Sequence, residues 1–206
     1  MKVLMLNGSP RENGNTAAAL SEMKKIFENE GIEVEYVHVG ALAVRGCKAC
    51  AACFKLGRCV MDDDIVNELA KKLEESDGMV IGSPVYYAAP NGAFVALLDR
   101  LFYSSRFDKR MKVGASVVVA RRGGCTAAFD QLNKYFTIAG MPLAPSQYWN
   151  MVHGATPGQA ELDAEGMQTM RTLAKNMTFL MRSIALGKEA YGLPEKEKSV
   201  WTNFVR

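Results

Sequence analysis

The chain has 206 residues, of which 49% are hydrophobic and 23% charged. That is long enough for one continuous core and ordinary for a soluble globular enzyme. Its formal net charge of +3 is too small to argue for nucleic acid or an anionic membrane surface as partner. The opening Met1-Lys2-Val3-Leu4-Met5-Leu6 is far shorter than the ~7–15 apolar residues of a secretory signal, and no run approaches the ~18 of a membrane span. A cytoplasmic protein is expected, in a compartment where cysteines normally stay reduced. Five cysteines are present, and four lie between Cys47 and Cys59.

Apolar runs and helical patterns alternate along the whole chain. Residues 2–6 read as a buried strand, followed by a polar turn and a helix over about 16–30, where Leu20, Met23, Ile26 and Phe27 share one face. Gly31 ends that helix. Residues 32–39 form a second strand whose alternation suggests a position near an edge. Residues 40–61 have no clear period and contain the four clustered cysteines. Residues 62–64 then open a helix reaching about residue 75, with acidic side chains placed at its positive end. A third strand covers 77–82 and a third helix 92–103. Residues 112–120 make a fourth strand, its Val117-Val118-Val119 run suggesting burial on both faces. A helix over 126–139, a fifth strand near 147–152 and a long helix over 161–186 complete the order, the last with Leu162, Met170, Leu173 and Met177 on one stripe. Residues 1–187 would form one domain and 188–206 a tail, in which Trp201 and Phe204 could pack on a second subunit or on the same chain.

Five strands separated by helices predict an α/β, doubly wound, five-stranded parallel sheet with helices on both faces. Ligands in such folds sit beyond the carboxyl ends of the strands. Three loops there are unusual. The first, Asn7-Gly8-Ser9-Pro10-Arg11-Glu12-Asn13-Gly14-Asn15-Thr16, combines turn glycines, short donors and a helix start that suits an anion. Its spacing is neither the Walker pattern nor G-x-G-x-x-G, which disfavours ATP and a first-strand dinucleotide site. An ordinary polar turn also fits it. The second, Ser83-Pro84-Val85-Tyr86-Tyr87 through Asn91-Gly92, pairs stiffening prolines with planar tyrosine rings, fit either for a flat ligand or for packing on the sheet. In the third, Arg121-Arg122-Gly123-Gly124-Cys125, paired glycines permit close approach and an arginine could meet an anion. Cys125 reads as a small core residue.

Leu6-Asn7-Gly8-Ser9-Pro10-Arg11 with Gly14-Asn15-Thr16 resembles the phosphate loop of the NADPH-dependent FMN reductase family, whose members are flavodoxin-like. The resemblance implies FMN, with its phosphate at Ser9, Arg11, Asn13, Asn15 and Thr16. The second loop is similar to the family's S-P-x-Y motif, which implies ring and ribityl contacts from Ser83, Pro84, Val85, Tyr86, Tyr87 and Asn91. Arg121, Arg122, Gly123 and Gly124 would border the pyrimidine edge. The chain departs from the family pattern at Asn91-Gly92 and Val95, where relatives carry Ser-Gly and then a lysine.

Cys47, Cys50, Cys53 and Cys59 give C-x2-C-x2-C-x5-C. Three thiolates at successive steps of three suit an iron–sulfur cluster better than zinc, which favours separated C-x2-C pairs. Zinc, switchable disulfides and free thiols remain open on the residues alone. With this run placed after the second strand, the chain resembles the iron–sulfur flavoprotein branch of the same family, over about residues 2–150. That resemblance implies a [4Fe–4S] cluster and a homodimer or higher homo-oligomer. It implies electron exchange with NAD(P)H, another small molecule or a ferredoxin-type protein. No catalytic acid or base is expected, since only His38 and His153 exist and no Ser/His/Asp set is apparent. The alternative is a redox-sensing or carrier protein whose cysteines bind zinc or form disulfides.

Overall fold

The computed structural model describes residues 1–202 and 204; Asn203, Val205 and Arg206 of the expected tail lie outside the described residues. In chain order the elements are β1 (Lys2–Asn7), α1 (Asn15–Asn29), β2 (Glu33–His38), α2 (Cys53–Leu56), α3 (Val66–Glu74), β3 (Gly78–Tyr86), β4 (Ala89–Pro90), α4 (Gly92–Ser104), β5 (Val113–Ala120), α5 (Cys125–Ile138), β6 (Met151–His153) and α6 (Ala164–Tyr191). A 3-10 turn at Ala160–Leu162 leads into α6.

The five-stranded parallel sheet has the order β2-β1-β3-β5-β6, with the two-residue β4 paired antiparallel to the end of β3. Strand alternation sends side chains to two cores. Val3, Met5, Val80, Val113, Ala115 and Val117 meet Leu20, Met23 and Phe27 of α1 and Met170, Leu173 and Met177 of α6. Leu4, Leu6, Met79, Ile81 and Val118 meet Leu69 of α3, Leu97 and Leu101 of α4 and Leu132 and Phe136 of α5. Helices therefore cover both faces, as the alternating pattern predicts, and β2 lies at an edge. The direction of strand addition reverses between β1 and β3, which places the ligand crevice of such a sheet above those two strands.

Several boundaries differ from the sequence expectation. Helix α3 starts at Val66, four residues late, so the acidic side chains of 62–64 precede it rather than fill its first turn. Asp62 accepts from Asn67, Asp63 pairs with Arg45, and Asp64 pairs with Arg100 while accepting from the Val66 amide at 3.2 Å. Strand β3 runs beyond Gly82, so Ser83-Pro84-Val85-Tyr86 is strand rather than loop. The last strand is only three residues long. The chain first touches β5 through a Gly114–Leu143 bridge, leaves the sheet at Pro145 and returns at Met151. Leu162 is exposed in the 3-10 turn rather than on the buried stripe of α6, which continues to Tyr191. Trp201 and Phe204 are both exposed.

Candidate functional site

Backbone bonds and short polar side chains shape the turn after β1. Gly8 donates to Gly82 O at 2.8 Å, which ties the start of the turn to β3. Asn7 Oδ1 accepts from the Ser9 amide at 3.0 Å, and Asn7 Nδ2 donates to the Tyr36 hydroxyl at 2.9 Å. Burial pushes the Tyr36 phenol up, more than its bond from Asn7 pulls it down. His38 Nε2 lies 2.7 Å from Ser9 O. Since a carbonyl only accepts, that nitrogen carries the proton. Ser9 is buried and its Oγ accepts from the Arg11 amide at 3.2 Å, leaving the hydroxyl hydrogen free to donate. Helix α1 follows from Gly14 with no side-chain cap, so the first-turn amides retain donor capacity for an anion. Thr16 is buried there, while Arg11 and Asn13 are exposed at the rim. Asn15 is turned aside, its Oδ1 accepting from the Ala160 amide at 3.1 Å.

The second loop is locked to the first. Asn91 Nδ2 donates to Gly8 O at 2.8 Å, its amide donates to Ser83 Oγ at 2.9 Å, and its Oδ1 caps α4 by accepting from Ala93 N. Ser83 Oγ also donates to Pro84 O at 2.9 Å, so its hydroxyl is spent inside the loop. Pro84 and Val85 are half-buried and Tyr86 and Tyr87 exposed, with Tyr87 and Ala88 held at φ of +50° and +60°. Left-handed backbone is uncommon for such residues, and the Tyr87 side chain is fully exposed. The third loop closes on the second. Gly124, at φ +93°, packs so tightly that a Cβ there would lie 2.8 Å from Ala88 Cα. Arg121, Arg122 and Gly123 are exposed beside it. Cys125 is buried at the start of α5, and burial raises its thiol.

The cysteine segment is built differently. Ala49 and Ala51 adopt φ of +53° and +57° on either side of Cys50, in the left-handed region that residues with a Cβ seldom occupy. Cys53 opens α2, and Gly57 ends it in the left-handed region at φ +70°. Cys47, Cys50, Cys53 and Cys59 all line one pocket together with Arg100, Tyr103 and Ser104 of α4. Cys47 and Cys50 are exposed, Cys53 and Cys59 buried, and all are free thiols. Among the described residues no group of three or more His, Cys, Asp or Glu side chains stands close enough to hold a single metal ion.

Several residues of these sites escaped the sequence reading. Gly40, just after β2, presses on the first turn so closely that a Cβ would lie 2.2 Å from Ser9 O. Asn67 clamps Cys59, with its Oδ1 accepting from the Cys59 amide and its Nδ2 donating to the Cys59 carbonyl, both at 3.0 Å. Arg100 is 1% exposed. The available signal was its place on the buried face of α4, one turn from Leu97 and Ser104.

Residues 1–156 match the family described as NADPH-dependent FMN reductase. The chain belongs to that family. It is accordingly an FMN-dependent oxidoreductase of flavodoxin-like fold, and the crevice above β1 and β3 is where such folds seat FMN. It is 33% identical over 196 residues to an iron-sulfur flavoprotein of Methanocaldococcus jannaschii, an alignment covering 89% of this chain and 99% of that protein. It is 30% identical over 193 residues to an iron-sulfur flavoprotein of Methanosarcina thermophila, covering 92% of this chain and all of the relative. Among solved structures it is similar to RosB with a bound 8-demethyl-8-formylriboflavin-5'-phosphate intermediate, at TM-score 0.73 and 17% identity, covering 100% of this chain and 92% of that one. The uncapped start of α1, the hydroxyl of Ser9 and the close approach enforced at Gly40 fit a phosphate monoester. In the cysteine pocket the donor set alone matches a polynuclear group: four thiols line one space with Arg100 and Ser104, whose Nε and Oγ are buried without protein partners.

Proposed function

We propose that this chain carries electrons between FMN, seated in the crevice of β1, β3 and β5, and a [4Fe–4S] cluster held by Cys47, Cys50, Cys53 and Cys59. NAD(P)H, another small molecule or a ferredoxin-type protein exchanges electrons with it. One observation supports this reading most: a four-cysteine pocket backed by α4, whose N-cap Asn91 bonds into the phosphate turn. When bound, FMN supplies two-electron and the cluster one-electron chemistry.

The chain's own residues provide placement. Ser9, Thr16 and the first amides of α1 would receive the phosphate, with Arg11 and Asn13 at the rim and Asn15 contributing through its backbone. Ser83, Pro84, Val85 and Asn91 shape the wall beside the ring. Tyr86 and Tyr87 would screen it from water, and Arg121, Arg122, Gly123 and Gly124 would border its polar edge, where a guanidinium would favour negative charge. No side chain is needed as acid or base. The chain acts in the cytoplasm and pairs with a second copy through exposed aromatics, including Trp201.

A second reading is a redox sensor or carrier whose cysteines bind zinc or form disulfides, supported by the exposure of Cys47 and Cys50. Metal analysis of chain purified without oxygen separates the two. About four iron and four sulfide per chain are expected for the cluster; zinc without sulfide supports the rival. Anaerobic stopped flow then tests the activity. Failure of NADH, NADPH and reduced ferredoxin alike to bleach the bound flavin would falsify the oxidoreductase reading.

A further inference from the structure

Arg100 is a buried cation in the middle of an apolar helix face, and one of its terminal nitrogens reaches the cysteine segment directly. Nη2 donates to Cys59 Sγ at 3.3 Å and to Met61 O at 3.1 Å, while Nη1 donates to Arg45 O at 3.1 Å. Both terminal nitrogens also meet the Asp64 carboxylate. Burial opposes the charge, but the bonds to Asp64 and Cys59 outweigh it and hold Arg100 cationic. Its Nε remains without a protein partner, as does Ser104 Oγ one turn further on, although both atoms are buried. Arg100 and Ser104 line the same pocket as the four cysteines, at 1% and 3% exposure. A buried donor without an acceptor is costly by about 1–3 kcal/mol. Two such groups beside four thiols therefore point to a missing acceptor inside that pocket.

The geometry points to Arg100 and Ser104 as the residues that set the reduction potential of the group held by the cysteines, by donating hydrogen bonds to its sulfur. This inference rests on the cluster reading above. Donors to sulfur and a fixed positive charge favour the more negative, reduced state, so they raise the potential. Arg100 is a positioning residue as well, since Asp64, Met61 and Arg45 fix its fork and it in turn fixes Cys59.

The test uses the full chain, purified anaerobically, as wild type, Arg100→Lys and Ser104→Ala. Lysine keeps a cation opposite Asp64 but loses the fork that reaches Cys59. Iron, sulfide and FMN are counted first, and the cluster is then titrated with redox dyes and followed by EPR. At the wild-type midpoint, the oxidised-to-reduced ratio should rise about tenfold in Arg100→Lys, roughly 59 mV for a one-electron couple. It should rise about threefold in Ser104→Ala, with the flavin couple unmoved in both. Wild type without iron removes the cluster reading and this inference together. Wild type with a cluster, and an unshifted ratio in either variant that retains iron, overturns the inference alone. If Arg100→Lys loses iron or fails to fold, Ser104→Ala decides, and loss of iron there also counts against it.

Discussion

The glycine-rich turn after β1 and the cysteine segment after β2 both rest on α4, yet they hold their shape by different means. The turn is fixed by backbone and by short side chains: Gly8 bonds to β3, the Asn91 amide group reaches Gly8 O, and Gly40 packs on Ser9. The cysteine segment has no strand to follow. It relies on left-handed alanines, the Asn67 clamp and the buried Arg100. The first turn is thus tied directly to the sheet, whereas the cysteine pocket depends on a few side chains from α3 and α4. Single substitutions should consequently affect the two regions unequally.

The largest expected effect is from Arg100→Met, which leaves the buried Asp64 carboxylate without its cation. A loss of about 3–5 kcal/mol in urea unfolding follows from stranding one partner of a buried pair. Iron should be lost before flavin, and loss of flavin first would reverse the comparison. Gly40→Ala attacks the other region. Its Cβ would overlap Ser9 O, costing about 1–3 kcal/mol, and FMN affinity measured by fluorescence quenching should fall tenfold or more while the iron content holds.

Lys109 provides a control beyond the end of α4. Buried against Ser105 O and Phe107 O, it has its pKa lowered to about 8, chiefly by burial. The unfolded lysine keeps its proton up to about 10.4. The unfolded state therefore binds more protons between those values, and stability rises with pH from about 8 to 10.4, by roughly 2 kcal/mol. Lys109→Met should flatten that rise in denaturant melts and leave iron and flavin counts unchanged. The smallest effect belongs to Asn91→Ala, where losing the cap costs about 1 kcal/mol. The lost bond to Gly8 O should weaken FMN binding about threefold in the same quenching assay.

The sheet was legible because strand alternation and helical spacing are local, and the edge position of β2 showed in its mixed alternation. What tertiary partners decide was not legible. Residues 62–64 look like a helix start, but Asp64 is drawn to Arg100, some 36 positions away. Leu162 fits an apolar stripe, but the 3-10 turn rotates it into solvent. At the site, the clustered motifs were visible as residue types at fixed spacing. Gly40 and Arg100 were not, because each acts on a segment distant in sequence, and Asn67, eight residues from Cys59, carries no motif of its own.

Anaerobic titration of the purified chain with dithionite, counting electrons taken up, addresses the pairing of the two sites most directly. About three electrons per chain are predicted, two for FMN and one for the cluster. An endpoint of about two, with only the flavin bleaching, would contradict it.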